Sequence, residues 1–283
     1  MKYGTGYALA ALPDPTAVRD FAQALEGAGF DFTGVGGHVL SQPAGTHEGR
    51  PPMTYVGPFY DHFVMFSYLA AVTQRIHFVS SIIILPEWPT AIVAKQSAEL
   101  QFFSGGRFEL GIGISWSEPE YQAMGQNIKN RGRRVEEQVE VLHKMWSEPF
   151  VTFEGRYHKL NNIGLNRLPQ STIPIWFGTG FDEKVLQRVA RQADGWMPLG
   201  DPTDHLPHMR QLMQEAGRDP SKLMVRASVT AGEGGPTAWI EAGKRLKAAG
   251  VTHINLGTPP DVTGPAALQR LIEAKNALAA ELG

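Results

Sequence analysis

The chain has no cysteine among its 283 residues, and this absence removes several kinds of chemistry. Without a thiol there is no disulfide, no thiolate nucleophile and no Cys-ligated zinc or iron–sulfur cluster. An excess of charge of one sign is also lacking, since 26 Lys and Arg against 28 Asp and Glu give a formal net charge of −2. We therefore expect no nucleic-acid partner and no attraction to an anionic membrane.

Long apolar runs are missing as well. No stretch approaches the ~20 apolar residues that a bilayer-spanning helix needs, and the first seven residues contain no signal-peptide apolar region. The composition, with 42% hydrophobic and 19% charged residues, is that of a globular chain. These features predict a cytoplasmic protein without a membrane partner.

Several catalytic signatures are absent too. There is no G-x-S-x-G elbow, no H-E-x-x-H and no P-loop lysine, so an acyl-transfer serine, a zinc protease and a nucleoside triphosphate site have no support. The pair His205 and His208 is interrupted by Pro207, which predicts a solvated helix start and not a metal site. A metal-dependent barrel hydrolase or isomerase stays open as an alternative, with only His38 and Asp201 as candidate ligands.

What the chain does contain is a regular alternation of short apolar runs and longer amphipathic segments. The predicted strands are residues 3–9, 32–39, 77–85, 108–114, 173–177, 195–199, 223–229 and 251–256. The segment after the first has helical spacing, with its apolar face at Val18, Phe21, Ala22 and Leu25. Eight pairs of a strand and a following helix, joined by right-handed crossovers, predict one α/β domain, a (β/α)8 TIM barrel over residues 1–283. An open doubly wound sheet is the alternative.

Two loop insertions interrupt this rhythm. A polar, Gly- and Pro-rich loop covers residues 40–58 after the second strand, and a second insertion covers 148–172. The second contains VTFEGRYHKL, two alternating runs around Glu154 and Gly155, which predicts a hairpin. We expect residues 40–60 and the turn at 230–236 to line the substrate cavity.

In a barrel the functional residues follow the C-terminal ends of the strands. His38 follows the second strand and suits general acid or base chemistry, although its position alone favours a hydrogen-bonded structural histidine. Aromatic residues on or near the same rim either form the walls of a planar ligand site or cap the barrel, namely Phe59, Tyr60, Trp88 and Trp116.

A Gly-rich turn follows the predicted fifth strand and consists of Gly178, Thr179 and Gly180. Glycine lets backbone N–H groups approach an anion, and the N-terminus of the next helix adds partial positive charge. The turn is therefore either a phosphate cradle or a tight connection without a ligand.

Two interpretations also stay open for Arg131, Arg133 and Arg134, which form either a charged surface stripe or a contact to an acidic cofactor tail.

Residues 75–116, RIHFVSSIIILPEWPTAIVAKQSAELQFFSGGRFELGIGISW, resemble the luciferase-like flavin-dependent monooxygenases and their deazaflavin (coenzyme F420) relatives. Further similar segments are NRGRRVEEQVEVLHKMW at 130–146, FEGRYHKL at 153–160 and PIWFGTGFDEKVLQRVARQADGWMPLG at 174–200. The resemblance covers nearly the whole chain. The SGGRF…G-x-G block followed by the ADGW block is specific, and the GISW turn is most similar to the F420-dependent oxidoreductase subgroup.

The resemblance implies a cofactor, F420 or alternatively FMN, bound at the C-terminal ends of the strands. A non-proline cis peptide between Ser81 and Ile82, with Ile83 next to it, would support the back of the ring. His38 matches the histidine that lies beside the ring in several relatives. The cofactor phosphate would lie near two turns, formed by Gly113, Ile114 and Ser115 and by Gly178, Thr179 and Gly180. A homodimer is also implied.

Two positions depart from the relatives. Gly37 stands where an acidic residue often precedes the histidine, and Trp116 stands where a sugar-phosphate dehydrogenase subgroup has its catalytic glutamate. Sugar-phosphate oxidation is therefore disfavoured, and we expect a more apolar substrate pocket with Trp116, Phe59 and Tyr60. The predicted function is F420-dependent hydride transfer to or from a small, rather apolar substrate, with His38 catalytic. The alternatives are an FMN-dependent monooxygenase and a non-catalytic flavin-binding protein.

Overall fold

Eight parallel strands close into a barrel in the computed structural model, which describes residues 1–6, 12, 14–40, 59–232 and 234–283. The strands in this part of the chain are, in order, β1 (Lys2–Thr5), β2 (Phe32–Val35), β3 (His77–Ser80), β4 (Ile83–Ile84), β5 (Phe108–Gly113), β6 (Val151–Glu154), β7 (Lys159–Ile163), β8 (Ile175–Thr179), β9 (Gly195–Pro198), β10 (Met224–Thr230) and β11 (His253–Gly257).

The barrel neighbours are β1, β2, β3, β5, β8, β9, β10 and β11, and β11 pairs with β1 to close the ring. All of these pairs are parallel. The short β4 follows β3 in the chain and pairs with the same strand, β5, so that Ile83 lies opposite Ile112. The predicted TIM barrel is confirmed, and the doubly wound alternative is wrong. That residues 1–283 form a single domain stays a prediction.

Helices follow the barrel strands as the periodicity predicts. Those in the described residues are α1 (Pro15–Gly27), α2 (His62–Val72), α3 (Thr90–Phe103), α4 (Glu118–Ala123), α5 (Arg131–Ser147), α6 (Glu183–Gln192), α7 (Leu206–Glu215), α8 (Gly235–Ala249) and α9 (Gly264–Leu282). The four predicted apolar residues of α1 are buried. The short α4 was not predicted and lies in the connection between β5 and α5. None of the helices in this part of the chain has the length and apolar character needed to cross a membrane.

The predicted third strand, residues 77–85, is not continuous. It ends as β3 at Ser80, passes through a cis peptide bond between Ser81 and Ile82, and resumes as the two-residue β4. A 3-10 turn at Leu85–Glu87 then leads toward α3. The second predicted strand is also shorter, because β2 ends at Val35. Residues 7–9 of the first predicted strand and most of the 40–58 loop lie outside the described residues.

The predicted hairpin within residues 148–172 is present, with β6 and β7 antiparallel. Its turn is attached to α5 by Glu137, whose carboxylate accepts the backbone N–H groups of Arg156, Tyr157 and His158 at 2.7–2.8 Å. The Nδ1 atom of His158 lies 2.8 Å from the same carboxylate. The insertion is thus held against the barrel helices by charge-assisted hydrogen bonds.

The SGGRF segment, residues 104–108, lies where β5 begins, at the base of the barrel. Arg107 is buried, and its guanidinium donates to the carbonyl oxygens of Ser104 at 2.6 Å, Ile76 and Ala70 at 3.0 Å, and Thr73 at 3.2 Å. These acceptors belong to the end of α2, the start of β3 and the turn after α3. A single planar cation therefore satisfies carbonyl groups that burial would otherwise leave unpaired.

The first residue of α2 is a buried histidine that packs against β2. Its Nε2 atom lies 2.9 Å from the carbonyl oxygen of Val35 and donates to it, since a carbonyl only accepts. Burial lowers the pKa of His62 to about 4, so the ring is neutral near pH 7. A Cβ atom at position 37 would lie 2.4 Å from the Cε1 atom of His62. Gly37, and the lack of an acid there, is a consequence of this packing.

We expect Gly111→Ala to destabilise the barrel, because its Cβ would lie 1.8 Å from the carbonyl oxygen of Ser80. Overpacking of this kind costs ~1–3 kcal/mol or more, and a lower urea midpoint measures it. The control is Gly27→Ala at the end of α1, where a Cβ meets nothing within 4 Å. That variant should be stabilised slightly. Equal midpoints for the two variants would contradict the close approach of β3 to β5.

A second prediction concerns acid stability. The pKa of His62 in the fold, about 4, lies below its ordinary 6.5, so the unfolded chain binds the proton first on acidification. This contribution is complete above about pH 6.5 and declines toward pH 4, by at most about 1.4 kcal/mol per pH unit. His62→Gln, which keeps a donor for Val35, should reduce the slope of unfolding free energy against pH in this window.

Part of the slope should persist in His62→Gln, since burial also lowers the pKa of His253 to about 4. Identical slopes for His62→Gln and the unmodified protein would show that His62 is not held neutral by the fold.

Candidate functional site

A cavity lies at the C-terminal ends of β2 and β4, where the predicted aromatic residues converge on His38. Its lining includes His38, Phe59, Tyr60, Ile83, Ile84 and Trp88. The rings of Phe59 and Trp116 approach the imidazole of His38 edge-on, with centroid distances of 5.4 and 6.3 Å. Within the described lining there is no Lys or Arg. The structure thus brings Phe59, Tyr60 and Trp88 into the lining of one cavity, which also contains the polar side chains of Asp61 and His62.

His38 is paired with a buried carboxylate that the sequence analysis missed. The Nδ1 atom of His38 lies 2.6 Å from Oε2 of Glu120, whose side chain is 1% exposed. The other carboxylate oxygen accepts the backbone N–H groups of Val39 at 2.7 Å and Leu40 at 3.1 Å. Because the carboxylate only accepts, Nδ1 carries the proton of this bond. Glu120 therefore fixes both the ring and the backbone after it, as in other carboxylate–histidine pairs.

Glu120 lies on α4, at the third position of the helix. The side chain of Ser117 caps this helix by accepting from the backbone N of Glu120, and Pro119 lies in the first turn. The sequence S-E-P-E has the S-x-x-E spacing of a capping box. This pattern is the signal that predicts a helix start here, although Glu120 turns its side chain to residues 38–40 instead of back to the cap.

The predicted cis peptide bond between Ser81 and Ile82 is present, and the Ile82 side chain lies against the inner faces of two strands. A Cβ atom on Gly113 of β5 would lie 2.6 Å from its Cδ1 atom, and a Cβ on Gly178 of β8 would lie 2.5 Å from its Cγ2 atom. The two glycines are neighbours, since the same Cβ on Gly113 would be 3.4 Å from the Gly178 carbonyl oxygen. Any side chain at either position would displace Ile82.

The backbone leading into this bulge is attached to both adjacent strands. The N–H group of Ser81 donates to the carbonyl oxygen of Val35 on β2 at 2.8 Å. On the other side, the hydroxyl of Ser80 accepts from the backbone N of Gly111 at 2.8 Å and donates to its carbonyl oxygen at 2.9 Å. The position of Ile82 is therefore determined by β2 and β5 together.

The turn after β5 has an unusual conformation at Ser115. Its φ of 48° is in the left-handed region, which non-glycine residues seldom adopt. Its hydroxyl is buried and has no hydrogen-bond partner in the structure. The preceding carbonyl, that of Ile114, accepts from the hydroxyl of Tyr121 at 2.6 Å. A buried hydroxyl without a partner next to an open rim is a feature that a polar ligand would satisfy.

The turn after β8 leaves space for a ligand, but its helix contributes less than expected. A Cβ atom at Gly180 meets nothing within 4 Å. The N-terminus of α6 is capped by the carboxylate of Asp182, which accepts from the backbone N of Lys184 at 3.1 Å, and Glu183 follows in the first turn. These two carboxylates offset the partial positive charge of the helix end, so any phosphate affinity depends on the turn itself.

The arginines at the start of α5 are engaged locally. Arg131 donates to the carbonyl oxygen of Ile128 at 3.0 Å, and Arg134 donates to the side chain of Gln126. The nearby Glu136 binds Arg188 of α6 at 2.9 Å. These contacts do not decide whether the arginines form a charged surface stripe or bind an acidic cofactor tail.

A second buried acid was also missed by the sequence analysis. Glu87, in the 3-10 turn after β4, is 0% exposed, and neither carboxylate oxygen has a hydrogen-bond partner. Burial, and in addition the charge of Glu120, raises the pKa of Glu87 to about 8. The carboxyl group therefore keeps its proton near pH 7.

A family model described as luciferase-like monooxygenase matches residues 2–260. An uncharacterised protein of Mycobacterium tuberculosis is 31% identical over 268 residues, covering 90% of each chain. The pyrimidine monooxygenase RutA of Escherichia coli is 31% identical over 178 residues, 57% of this chain and 46% of RutA.

Solved structures share the fold at low identity. An F420-dependent secondary alcohol dehydrogenase in complex with an F420–acetone adduct has a TM-score of 0.80 at 18% identity, covering 100% of this chain and 99% of the other. Long-chain alkane monooxygenase (LadA) has a TM-score of 0.78 at 13% identity, covering 99% and 91%. The fold likeness extends over the barrel with its rim, and the family match extends over most of the sequence. The chain is an oxidoreductase that belongs to the luciferase-like monooxygenase family.

Proposed function

We propose that the protein is an F420-dependent oxidoreductase that transfers a hydride to or from a small organic substrate. The observation that carries this proposal is the His38–Glu120 pair at an aromatic cavity next to the Ile82 bulge. Hydride transfer to or from a carbon that bears oxygen requires a proton at that oxygen, and the pair is built to exchange one. The dehydrogenase and a coenzyme F420-dependent tetrahydromethanopterin reductase of Methanopyrus kandleri share the fold.

The rim residues fit a cofactor with a ring and a phosphate. The buried hydroxyl of Ser115 has no partner, and the space beside Gly180 is open. We assign the support of the ring to Ser81, Ile82 and Ile83, with His38 beside it. We assign the phosphate to the two turns, formed by Gly113, Ile114 and Ser115 and by Gly178, Thr179 and Gly180. When bound, a deazaflavin supplies the hydride donor or acceptor at its N5 atom.

His38 carries the proton chemistry in this proposal. Glu120 holds Nδ1 in its protonated form, so exchange with the substrate oxygen takes place at Nε2. The ring accepts a hydroxyl proton when an alcohol is oxidised and returns it when a carbonyl is reduced. The charge of Glu120 stabilises the imidazolium that forms, and its burial keeps that interaction strong.

The lining of the cavity favours an uncharged, rather apolar substrate. Phe59, Tyr60 and Trp116 surround His38, and the described lining offers no cationic side chain for a phosphorylated substrate. Sugar phosphates are therefore not proposed. FMN-dependent monooxygenation is the second candidate, supported by the likeness to RutA and to the alkane monooxygenase.

The remaining alternatives have less support. A metal-dependent hydrolase needs several converging ligands, and within the described residues no group of three His, Asp or Glu side chains is placed to hold a metal ion. A non-catalytic flavin-binding protein would bind the cofactor without turnover. A homodimer and a cytoplasmic location stay predictions.

We expect the purified protein to bind F420, or alternatively FMN, with an affinity of about micromolar or better, measured by parallel fluorescence titrations. Gly180→Asp should abolish binding because it places a carboxylate beside the phosphate. Gly180→Ala is the matched control and should bind normally, since its Cβ meets no atom. Failure of the unmodified protein with both cofactors would overturn the proposal. Normal binding by Gly180→Asp would place the phosphate elsewhere.

We expect His38→Ala to lower turnover by about 10²–10⁴, the usual contribution of general acid–base catalysis, with cofactor affinity little changed. Glu120→Gln should lower turnover as well, because the amide cannot stabilise the imidazolium. The exposed His208→Ala is the control and should keep full activity. A His38→Ala variant with an unchanged rate would remove the proposed role of His38, whatever cofactor is bound.

A further inference from the structure

We propose that the substrate binds against a polar wall inside the barrel, formed by Ser228 and Thr230 of β10 and Asn255 of β11. To meet this wall, the substrate carries an uncharged hydrogen-bonding group, such as an amide, besides its reacting carbon. The three side chains are neighbours, because Ser228 pairs with Asn255, and Thr230 with Gly257, in the ladder between the two strands. Only the identity of the occupant rests on the proposed function.

The alternation of side chains along β10 shows which way this strand contributes to the wall. Val225, Ala227 and Val229 are buried in the core that the strands share with the surrounding helices. The residues between them therefore point into the barrel. Met224, which has the same orientation as Ser228, packs against the separate apolar cluster of the barrel interior.

Asn255 has the same inward orientation on β11. Its neighbours Ile254 and Leu256 are buried in the outer core. His253, two residues earlier, faces inward as well, and its ring lies 5.0 Å from the ring of Trp176. Aromatic rings thus fill the interior below the wall.

The interior beside the wall is open. Ser228 and Thr230 are exposed and Asn255 is half-buried, although all three point into a closed barrel. A Cβ atom at Gly257, opposite Thr230, would meet nothing within 4 Å. Inward side chains of an eight-stranded barrel normally fill its interior, so exposure at these positions indicates a cavity. Within the described part of the chain, none of the three side chains makes a hydrogen bond.

The wall lies across the barrel from the Ile82 bulge. In the ring order β1, β2, β3, β5, β8, β9, β10 and β11, four steps separate β10 from β3 in either direction, and four separate β11 from β5. A cofactor ring resting on Ile82 would therefore turn its free face toward the wall. His38 follows β2, which lies between β3 and β11 in this order, so a substrate between ring and wall would have His38 at its side.

The chemistry of the wall favours an uncharged partner. Two hydroxyls and the carboxamide of Asn255 can each donate and accept. Below Ser228, the next inward residue is Arg226, whose guanidinium lies 5.9 Å from the ring of Phe32 and faces the opposite charge of Glu109. That acid compensates the cation, so no anionic substrate is required. An amide, with an acceptor beside a donor, complements the carboxamide and a hydroxyl together.

The first test needs neither cofactor nor substrate and uses the absence of cysteine, since Ser228→Cys then carries the only thiol. Alkylation of the full chain is followed by mass spectrometry. Ser228→Cys should react nearly as fast as Ala280→Cys, on the exposed surface of α9. Ala227→Cys, at a position 3% exposed, should react at least about 100-fold more slowly, because local opening must precede reaction. Equally slow reaction at positions 227 and 228 would show that no cavity adjoins the wall and would overturn the proposal.

Two reagents then separate hydrogen bonding from access. Iodoacetamide and allyl iodide are uncharged and similar in size, but only iodoacetamide carries an amide. The ratio of their rates should be higher at Ser228→Cys than at Ala280→Cys by up to about tenfold, the contribution of one hydrogen bond. Adding Asn255→Leu, or the isosteric Thr230→Val, should return the ratio toward that of Ala280→Cys. Equal ratios at the two thiols, or a ratio that neither added substitution changes, would contradict amide binding at the wall.

Addition of F420 or FMN tests whether the occupant is the substrate. A ring at the Ile82 bulge should leave Ser228→Cys reactive toward iodoacetamide. Complete protection by a bound cofactor would show that the cofactor itself covers the wall, and would overturn the assignment to the substrate. Failure of both cofactors to bind would overturn the proposed function, and the rate ratios would still decide whether the wall accepts an amide.

Discussion

The rim of this barrel depends on the contact of the Ile82 side chain with two positions that have no side chain, Gly113 and Gly178. Ile82 occupies the space that side chains at Gly113 and Gly178 would fill, and its backbone is attached to β2 and β5. Each glycine is the first residue of one of the two turns that we propose for the cofactor phosphate. The packing that determines the shape of the bulge thereby determines where those turns begin. A proposed ring support and a proposed phosphate site are thus parts of one packing arrangement.

The proposed proton chemistry depends on a separate set of contacts. His38 follows β2 and Glu120 comes from α4, so the two groups meet only in the folded chain. The side chain of His38 is 15% exposed and that of Glu120 is 1% exposed. The partly exposed ring can therefore meet a ligand while the buried carboxylate holds it in place. The hydride and proton parts of the proposed reaction are therefore supported by different elements.

The sequence predicts the barrel because its information is periodic and repeated. Eight alternations of strand and helix pattern, with helix faces such as that of α1, are enough to determine the fold. The family resemblance adds the position of the cis peptide at Ser81 and Ile82. Both sources depend on residues close together in the chain.

The parts that were missed depend on contacts between distant segments. α4 has six residues, too few for a periodic apolar face, and only the S-x-x-E spacing of Ser117 and Glu120 marks it. Residue type alone predicts that Glu87 is exposed, since glutamate is seldom buried. Gly37 looks like the loss of an acid until His62, which is 25 positions later in the chain, is found against it. Strand ends were also overestimated where the chain leaves the sheet through glycines or the cis peptide.

The placement of Glu120 has a consequence for how such enzymes diversify. In this chain the acid that supports the histidine comes from a short helix in a loop, and the strand-end position at Trp116 is left to an aromatic ring. The carboxylate bonded to His38 and the ring packed against it therefore come from one segment, between β5 and α5, so a change in the length or sequence of that segment alters both together.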